Sequence, residues 1–303
     1  MAVSDGVSCG AYKRWKKLAT KDKIFYVFVY AFFVLFAVII LYPLFNWLAY
    51  SFNDSFDAVT GGIYLIPRKW SLRNYIAIFE GYQGVIRGLV VTTIRTVIGT
   101  VSGLAANAML AFILSRKRFL FKSSLSLFWI FTLYASGGII PVYILYRFLH
   151  LHASFWVYII PTFVSVINVI VIRTYMQSIP DSFEEAAQLE GAGYIKVFWN
   201  IISPLCKPVY AATALFVAAY HWNSWFDALL YNRFDIKYST IMFEAMKLFS
   251  EISPLQDACN CRAVTPYTVK AGIYLLASLP LIIAFPFFQK YFVTGLTVGG
   301  IKE

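Results

Sequence analysis

Residues 24–42 read I-F-Y-V-F-V-Y-A-F-F-V-L-F-A-V-I-I-L-Y, nineteen consecutive positions without a charge. A helix of that length crosses a hydrocarbon core of about 30 Å. Lipid offers no partner to backbone N–H and C=O groups, and a helix satisfies them internally. Lys13, Arg14, Lys16, Lys17, Lys21 and Lys23 precede the run. No small-x-small cleavage site follows it and further apolar runs do, so it reads as a span rather than a cleaved leader.

Working outward, five more spans are expected near residues 85–114, 124–146, 154–175, 209–230 and 271–292. The composition agrees: 60% of the 303 residues are hydrophobic and 14% charged, where a soluble domain carries roughly 25% charged residues. The expected fold class is an all-α membrane protein with six transmembrane helices. Six spans put both termini on one side. The basic leader and the cluster Arg116, Lys117, Arg118 and Lys122 share that side, which the positive-inside rule makes cytoplasmic. The expected organisation is a basic cytoplasmic segment at 1–23, a bundle at 24–293 and a cytoplasmic tail at 294–303. Segments 51–84 and 231–270 are then external, the latter with a short helix, and 179–208 is a cytoplasmic loop. The net charge of +11 sits beside apolar spans, where it serves topology and anionic lipid rather than nucleic acid.

Within the spans, Arg95 must face protein or water, because a charge in lipid is costly. Gly99 and Gly103 form a G-x-x-x-G pattern that lets backbones approach, and Ala211, Ala212, Ala214, Ala218 and Ala219 give the fifth span a small face. Gly137, Gly138 and Pro141 are expected to interrupt the third span, either as a tolerated kink or beside a cavity. Cys9, Cys206, Cys259 and Cys261 lack the spacing of a zinc site. His150 and His152 lack a third ligand and suit a polar interface. His221 is expected to hydrogen-bond between helices or in a cavity.

Residues 179–208 read I-P-D-S-F-E-E-A-A-Q-L-E-G-A-G-Y-I-K-V-F-W-N-I-I-S-P-L-C-K-P. Asp181, Glu184, Glu185 and Glu190 concentrate four of the chain's fifteen acidic residues here. Pro180 ends the preceding element, Ser182 with Glu185 forms a capping box, and Gly191 and Gly193 are stop signals. The stretch therefore predicts a short helix, too polar for lipid, held at the membrane face between two spans. Its residues suit either docking into a groove on another protein or an interfacial helix with no partner.

Glu185, Ala186, Ala187 and Gly191, followed after nine residues by Ile201 and Pro204, resemble the EAA-x3-G-x9-I-x-L-P signature of ABC importer permeases. Ser203 departs from it where the family prefers Leu. Ser51 to Asp54, Gly61 to Tyr64 with Pro67, Ser136 to Pro141, Trp222 to Asp227 and the ending from Gln289 to Lys302 also resemble the carbohydrate type. The likeness points to the oligosaccharide and polysaccharide-fragment subgroup and, more distantly, to the second permease of the maltose importer.

The resemblance implies a type I importer permease fold. Glu184, Glu185, Ala186, Ala187, Glu190, Gly191 and Pro204 would then form the coupling helix and its surroundings, seated on an ATP-binding subunit. It implies a second permease subunit, two ATP-binding subunits, an extracytoplasmic solute-binding protein and a carbohydrate substrate, in the bacterial cytoplasmic membrane. ATP and Mg would belong to the partner ATPases. The chain itself carries no G-x-x-x-x-G-K-[ST] phosphate loop and is expected to bind no cofactor or metal and to be no enzyme. Gly299, Gly300 and Lys302 resemble a tail that reaches between ATPase subunits.

Sugars stack apolar faces on aromatic rings and hydrogen-bond through hydroxyls. Asn223, Trp225 and Asp227, with Trp222, Tyr134, Tyr143 and Asn168, are candidates for a sugar path. Interfacial aromatic belts and interhelical amide bonds are the competing explanations. An ion-coupled transporter would place acidic residues within spans, where only Asp227 comes close. A membrane enzyme would need an acid–base pair or nucleophile, and none is readable.

Overall fold

The computed structural model describes residues 19–81, 83–116, 119–135, 137–250 and 265–298. The leader lysines and arginine up to Lys17, Cys9, Lys117, Arg118, Ser136, Cys259, Cys261, Gly299, Gly300 and Lys302 lie outside them. The order is α1 (Thr20–Ser51), α2 (Ser55–Val59), α3 (Arg73–Gly81), α4 (Gln83–Ser115), α5 (Lys122–Tyr134) and α6 (Ile139–Phe148). Two 3-10 turns lie within Phe155–Thr162, followed by α7 (Val166–Gln177), α8 (Ser182–Leu189), α9 (Tyr194–Leu205) and α10 (Lys207–Asn223). Then come α11 (Phe226–Tyr231), α12 (Ile241–Ser250) and α13 (Pro266–Val298). Among the described residues the only strand-like pairing is an isolated bridge between Asn53 and Trp70.

Three helices are by themselves long and apolar enough to cross a bilayer: α1, α4 and Tyr267–Phe287 within α13. Up to six crossings result when three bent pairs each count as one, namely α5 with α6, Phe155–Thr162 with α7 (45°), and α9 with α10 (81°). The expected spans 124–146, 154–175 and 209–230 are thus not continuous helices. Gly138, at φ +81°, starts α6 from a conformation that side-chain-bearing residues avoid. Pro141 does not break the helix; it is the third residue of α6, where no intrahelical N–H bond is lost. Pro161 sits in the second 3-10 turn, and α7 starts afresh when the Ser165 side chain accepts a bond from the Asn168 amide (3.5 Å). Ser224, in an extended conformation, ends α10 seven residues before the expected span boundary at residue 230.

Helix α4 runs through the middle of the bundle. Its buried residues include Gly88, Thr92, Arg95, Gly99, Gly103, Asn107 and Ala111, which recur every three or four positions and so share one face. This inward face is small and polar, while Val90, Ile94, Val97 and Val101 are exposed, the arrangement that lipid requires. Close approach uses the glycines. A Cβ on Gly88 would lie 3.0 Å from the Ile241 backbone nitrogen, and one on Gly99 would fall inside the His221 imidazole. The G-x-x-x-G pattern therefore admits a side chain at Gly99, whereas a Cβ on Gly103 would only touch the Phe163 carbonyl at 3.6 Å.

Arg95 is completely buried and grips Asp227 with both terminal guanidinium nitrogens, Nη1 to Oδ1 at 3.2 Å and Nη2 to Oδ2. Its Nε donates to His221 Nδ1 (3.4 Å), and its guanidinium lies 4.4 Å from the Tyr158 ring centre. At the opposite end of α1 from Thr20, residues 51–74 form a polar knot. The Asn53 side chain accepts from Arg68 N (2.8 Å) and Lys69 N (3.0 Å), and Asn74 donates to the Ser51 and Asn53 carbonyls. The Asn53 amide, followed by the Arg68 guanidinium, holds the Asp57 carboxyl below its usual pKa. Helix α1 packs on α13 through Trp47, which stacks on Tyr267 at 5.6 Å.

Arg95→Met is expected to destabilise the purified protein by about 3–5 kcal/mol, because Asp227 is left without its cation. Adding Asp227→Leu should recover most of the loss. Thermal unfolding of both variants checks this, and a single variant as stable as the parent would remove the pair's structural role. Gly99→Ala should cost about 1–3 kcal/mol by overpacking. Combined with His221→Ala it should cost less than the two changes summed, and strict additivity in unfolding experiments would show that the methyl and the imidazole never met.

Candidate functional site

The short acidic helix α8 is fixed at both ends by backbone geometry. Asp181 is already in the right-handed helical region (φ −62°, ψ −22°), and its carbonyl accepts from Glu184 N and Glu185 N, both at 3.0 Å. Ser182 is therefore the first helical residue and not the cap, and the expected capping box does not form. At the other end Gly191 has φ +80°. Ala192 N bonds to Ala187 O (2.9 Å) and Gly191 N to Gln188 O (3.0 Å). This crossed pair is a Schellman stop, which glycine adopts without strain.

Only part of α8 belongs to this chain's own packing. Ala187 is buried in a cluster with Ala111 and Phe112 of α4, Ile172 and Met176 of α7, Val197, Phe198 and Ile202 of α9, and Cys206. Glu184 pairs with Arg116 just beyond α4 and accepts from Gln188 Nε2 (3.0 Å). Arg116 also lies 4.8 Å from the Phe112 ring centre. Glu185, Ala186, Glu190 and Gly191 face outward with Phe183 and with Leu189, which is 90% exposed. The two alanines are thus split, one inward and one outward. Pro204 is exposed in the last turn of α9, and Ser203 is half-buried beside fully buried Cys206. Helix α9 carries a π-helical turn at Phe198–Ile202.

A cavity of about 570 Å³ lies between α7 and α10, with Ser165, Asn168, Thr213, Phe216, Tyr220 and His221 in its wall. A second, of about 340 Å³, includes Tyr146, Tyr220, Phe226 and Asp227. Of the residues expected on a sugar path, Asn168 and Asp227 reach these cavities. Asp227, however, is spent on Arg95, Ser224 Oγ (3.0 Å) and Ala228 N (2.9 Å). Asn223 is exposed at the end of α10, and Trp225 is half-buried near Tyr158 and Tyr231. Trp222 instead donates to the Ala277 carbonyl (2.6 Å), tying α10 to α13. Tyr134 is 84% exposed at the end of α5 and lines neither cavity.

One residue escaped the sequence reading. Asn107 donates to Gly103 O (2.6 Å) and Phe163 O (3.4 Å) and accepts from Ser165 N (2.8 Å). It supplies the backbone partners lost where the chain breaks before α7. The rule that a mid-span amide needs a partner pointed to it as well as to Asn168.

No protein-family profile matches the chain. The chain is 30% identical over 285 residues to the polygalacturonan/rhamnogalacturonan transport system permease protein YtcP of Bacillus subtilis, covering 93% of this chain and 99% of that protein. It is 30% identical over 266 residues to protein LplC of the same organism, covering 87% and 90%. A bacterial ABC transporter chain involved in the import of the acidic polysaccharide alginate shares the fold with a TM-score of 0.84. It is 27% identical and covers 91% of this chain and 99% of that one. An all-helical chain with a central polar-faced helix, aligned over nearly its whole length with such proteins, belongs to the permease family of carbohydrate ABC transporters.

Proposed function

We propose that this chain is one of two permease subunits of a carbohydrate importer whose energy comes from two separate ATP-binding subunits. Six crossings, with the three bent pairs counted singly, put both termini and the loop that carries α8 in the cytoplasm of a bacterial cell. In this reading α8 is the coupling helix. ATP and Mg belong to the partner ATPases, and an extracytoplasmic solute-binding protein delivers an oligosaccharide or polysaccharide fragment. The tail with Gly299, Gly300 and Lys302 is a further ATPase contact.

The observation that carries the reading is the division of α8 into two faces. Ala187 and Glu184 lock the helix to the ends of α4, α7, α9 and α10, while Glu185, Ala186, Leu189 and Glu190 stay exposed on a short, rigid element. A partner that displaced the outer face would carry three long helices with it, the rigid-body input that alternating access needs. The uncharged amide, hydroxyl and aromatic groups between α7 and α10 suit passage of a sugar.

Glu185→Lys should leave the chain inserted yet abolish both co-purification of the ATPase subunits and sugar-stimulated ATP hydrolysis. Wild-type coupling in that variant would overturn the assignment of α8. Uptake that survives depletion of the ATPase but collapses with an ion gradient would favour a secondary transporter. Gly191 separates backbone from contact effects, since a Cβ there meets nothing within 4 Å. Gly191→Val should cost about 1–3 kcal/mol of local strain and impair coupling, while Gly191→Asn, which tolerates the left-handed region, should retain most of it. Equal uptake by both variants would show that the stop geometry is dispensable.

A further inference from the structure

A cavity of about 570 Å³ opens at the α6–α11 end of the bundle, adjoining the smaller one described above, with which it shares Leu230 and Tyr231. Its lining includes Tyr143, His152, Tyr231, Arg233, Phe234 and Asp235. Tyr143 and Tyr231 stack nearly parallel (5.8 Å between centres, 11°), and His152 stands edge-on to Tyr143 at 5.7 Å. The turn carrying His152 is held in an unusual form. His150 (φ 55°) and Ala153 (φ 54°) are both non-glycine residues in the left-handed region, and Ala153 N bonds to Tyr231 O (3.2 Å). Such conformations persist only where the surroundings over-determine them.

Two side chains of the rim stay exposed. Phe234 is 93% exposed, and Arg233, whose guanidinium lies 5.7 Å from the Phe234 ring centre, has no carboxylate partner among the described residues. Asp235, in the same wall, makes no ion pair with Arg233 among the described residues, and its Oδ1 accepts from Lys237 N (2.9 Å) in its own turn. Aromatic faces beside a free guanidinium and an imidazole make one kind of recognition surface. The rings take the apolar face of a pyranose, and the guanidinium takes a carboxylate in paired charge-assisted bonds.

We propose that this cavity is an entry subsite for one acidic sugar residue of the transported chain, held by Arg233 and His152 at its carboxylate and by Phe234 and the Tyr143–Tyr231 pair at its ring. The proposal rests on the carbohydrate-importer reading and narrows its substrate to chains that contain a uronate.

The test uses the assembled permease–ATPase complex in nanodiscs without binding protein, titrated by saturation-transfer NMR with trigalacturonate and with its methyl ester. Wild type should bind the acid about tenfold more tightly than the ester, the worth of a charge-assisted bond. Arg233→Gln should erase that preference and Arg233→Lys keep part of it. Phe234→Ala should weaken acid and ester alike, by about fivefold, through lost stacking. Both side chains are exposed, so these variants are expected to unfold at the wild-type temperature, which the same samples report. Equal wild-type affinity for acid and ester, or Arg233→Gln binding like wild type, overturns the subsite. If Arg233→Gln spares sugar binding but weakens stimulation by added binding protein, the face is a protein-docking surface and the proposal also falls. Failure of the importer reading would show separately, as wild-type coupling in Glu185→Lys.

Discussion

Backbone and charge have no water to turn to inside a bilayer, so every interruption in a helix must find its partner within the bundle. In this chain several of those partners come from one element. Along the inward face of α4, Thr92 accepts from Ile241 N at the start of α12 (3.0 Å), and Arg95 grips Asp227 at the start of α11. Asn107 satisfies Ser165 N and Phe163 O before α7, and Arg116, just past the helix end, holds Glu184 in α8. The breaks before α7, α11 and α12 are each tied to this unbroken helix. The polar content of α4 is the reason that its neighbours can be irregular.

That division of labour explains why the sequence was readable in some places and not in others. Arg95 announced its burial, because a central charge admits few alternatives. The acidic stretch from Asp181 to Glu190 was equally plain, being too polar for lipid and closed by glycine. The interruptions were harder to see. A hydropathy window weighs side chains and is blind to backbone direction, so 154–175 and 209–230 looked like spans although each is bent or broken. Gly138 was legible as a break and Pro141 was not innocent by sequence alone, since only its place in the first turn of α6 removes its effect. The cap on α8 was misplaced by one residue for a related reason. Ser182 and Glu185 have capping-box spacing, but Asp181 enters the helix first, and a motif cannot report which residue turns first.

The candidate path residues illustrate a second limit. Asp227 looked like a sugar contact because it lies near aromatic rings, and it does line a cavity. Its oxygens are nevertheless committed to Arg95, Ser224 and Ala228. The cavity between α7 and α10 is lined by neutral polar residues, among them Ser165, Asn168 and Thr213, which carry little signal in a sequence because each is equally at home in a helix–helix contact. Charge inside a membrane draws attention to structure as readily as to function.

The same packing that hides these residues also joins the two ends of the molecule. From Ala187 the buried cluster passes to Ile172 and Met176 on α7 and to Val209 on α10. Farther along those helices, Asn168 and Thr213 both line the cavity between α7 and α10. Helix α10 continues to His221, which touches Arg95, and the chain then breaks where Asp227 is held. Both walls of the cavity are thus extensions of elements clamped to α8, and both are braced against α4. Close-packed interiors transmit displacement because they deform little. Under the coupling reading, a push on the exposed face of α8 moves α7 and α10 together with the end of α4 that shares their cluster. The absence of a side chain at Gly99 is what lets the His221 imidazole of α10 reach α4 there.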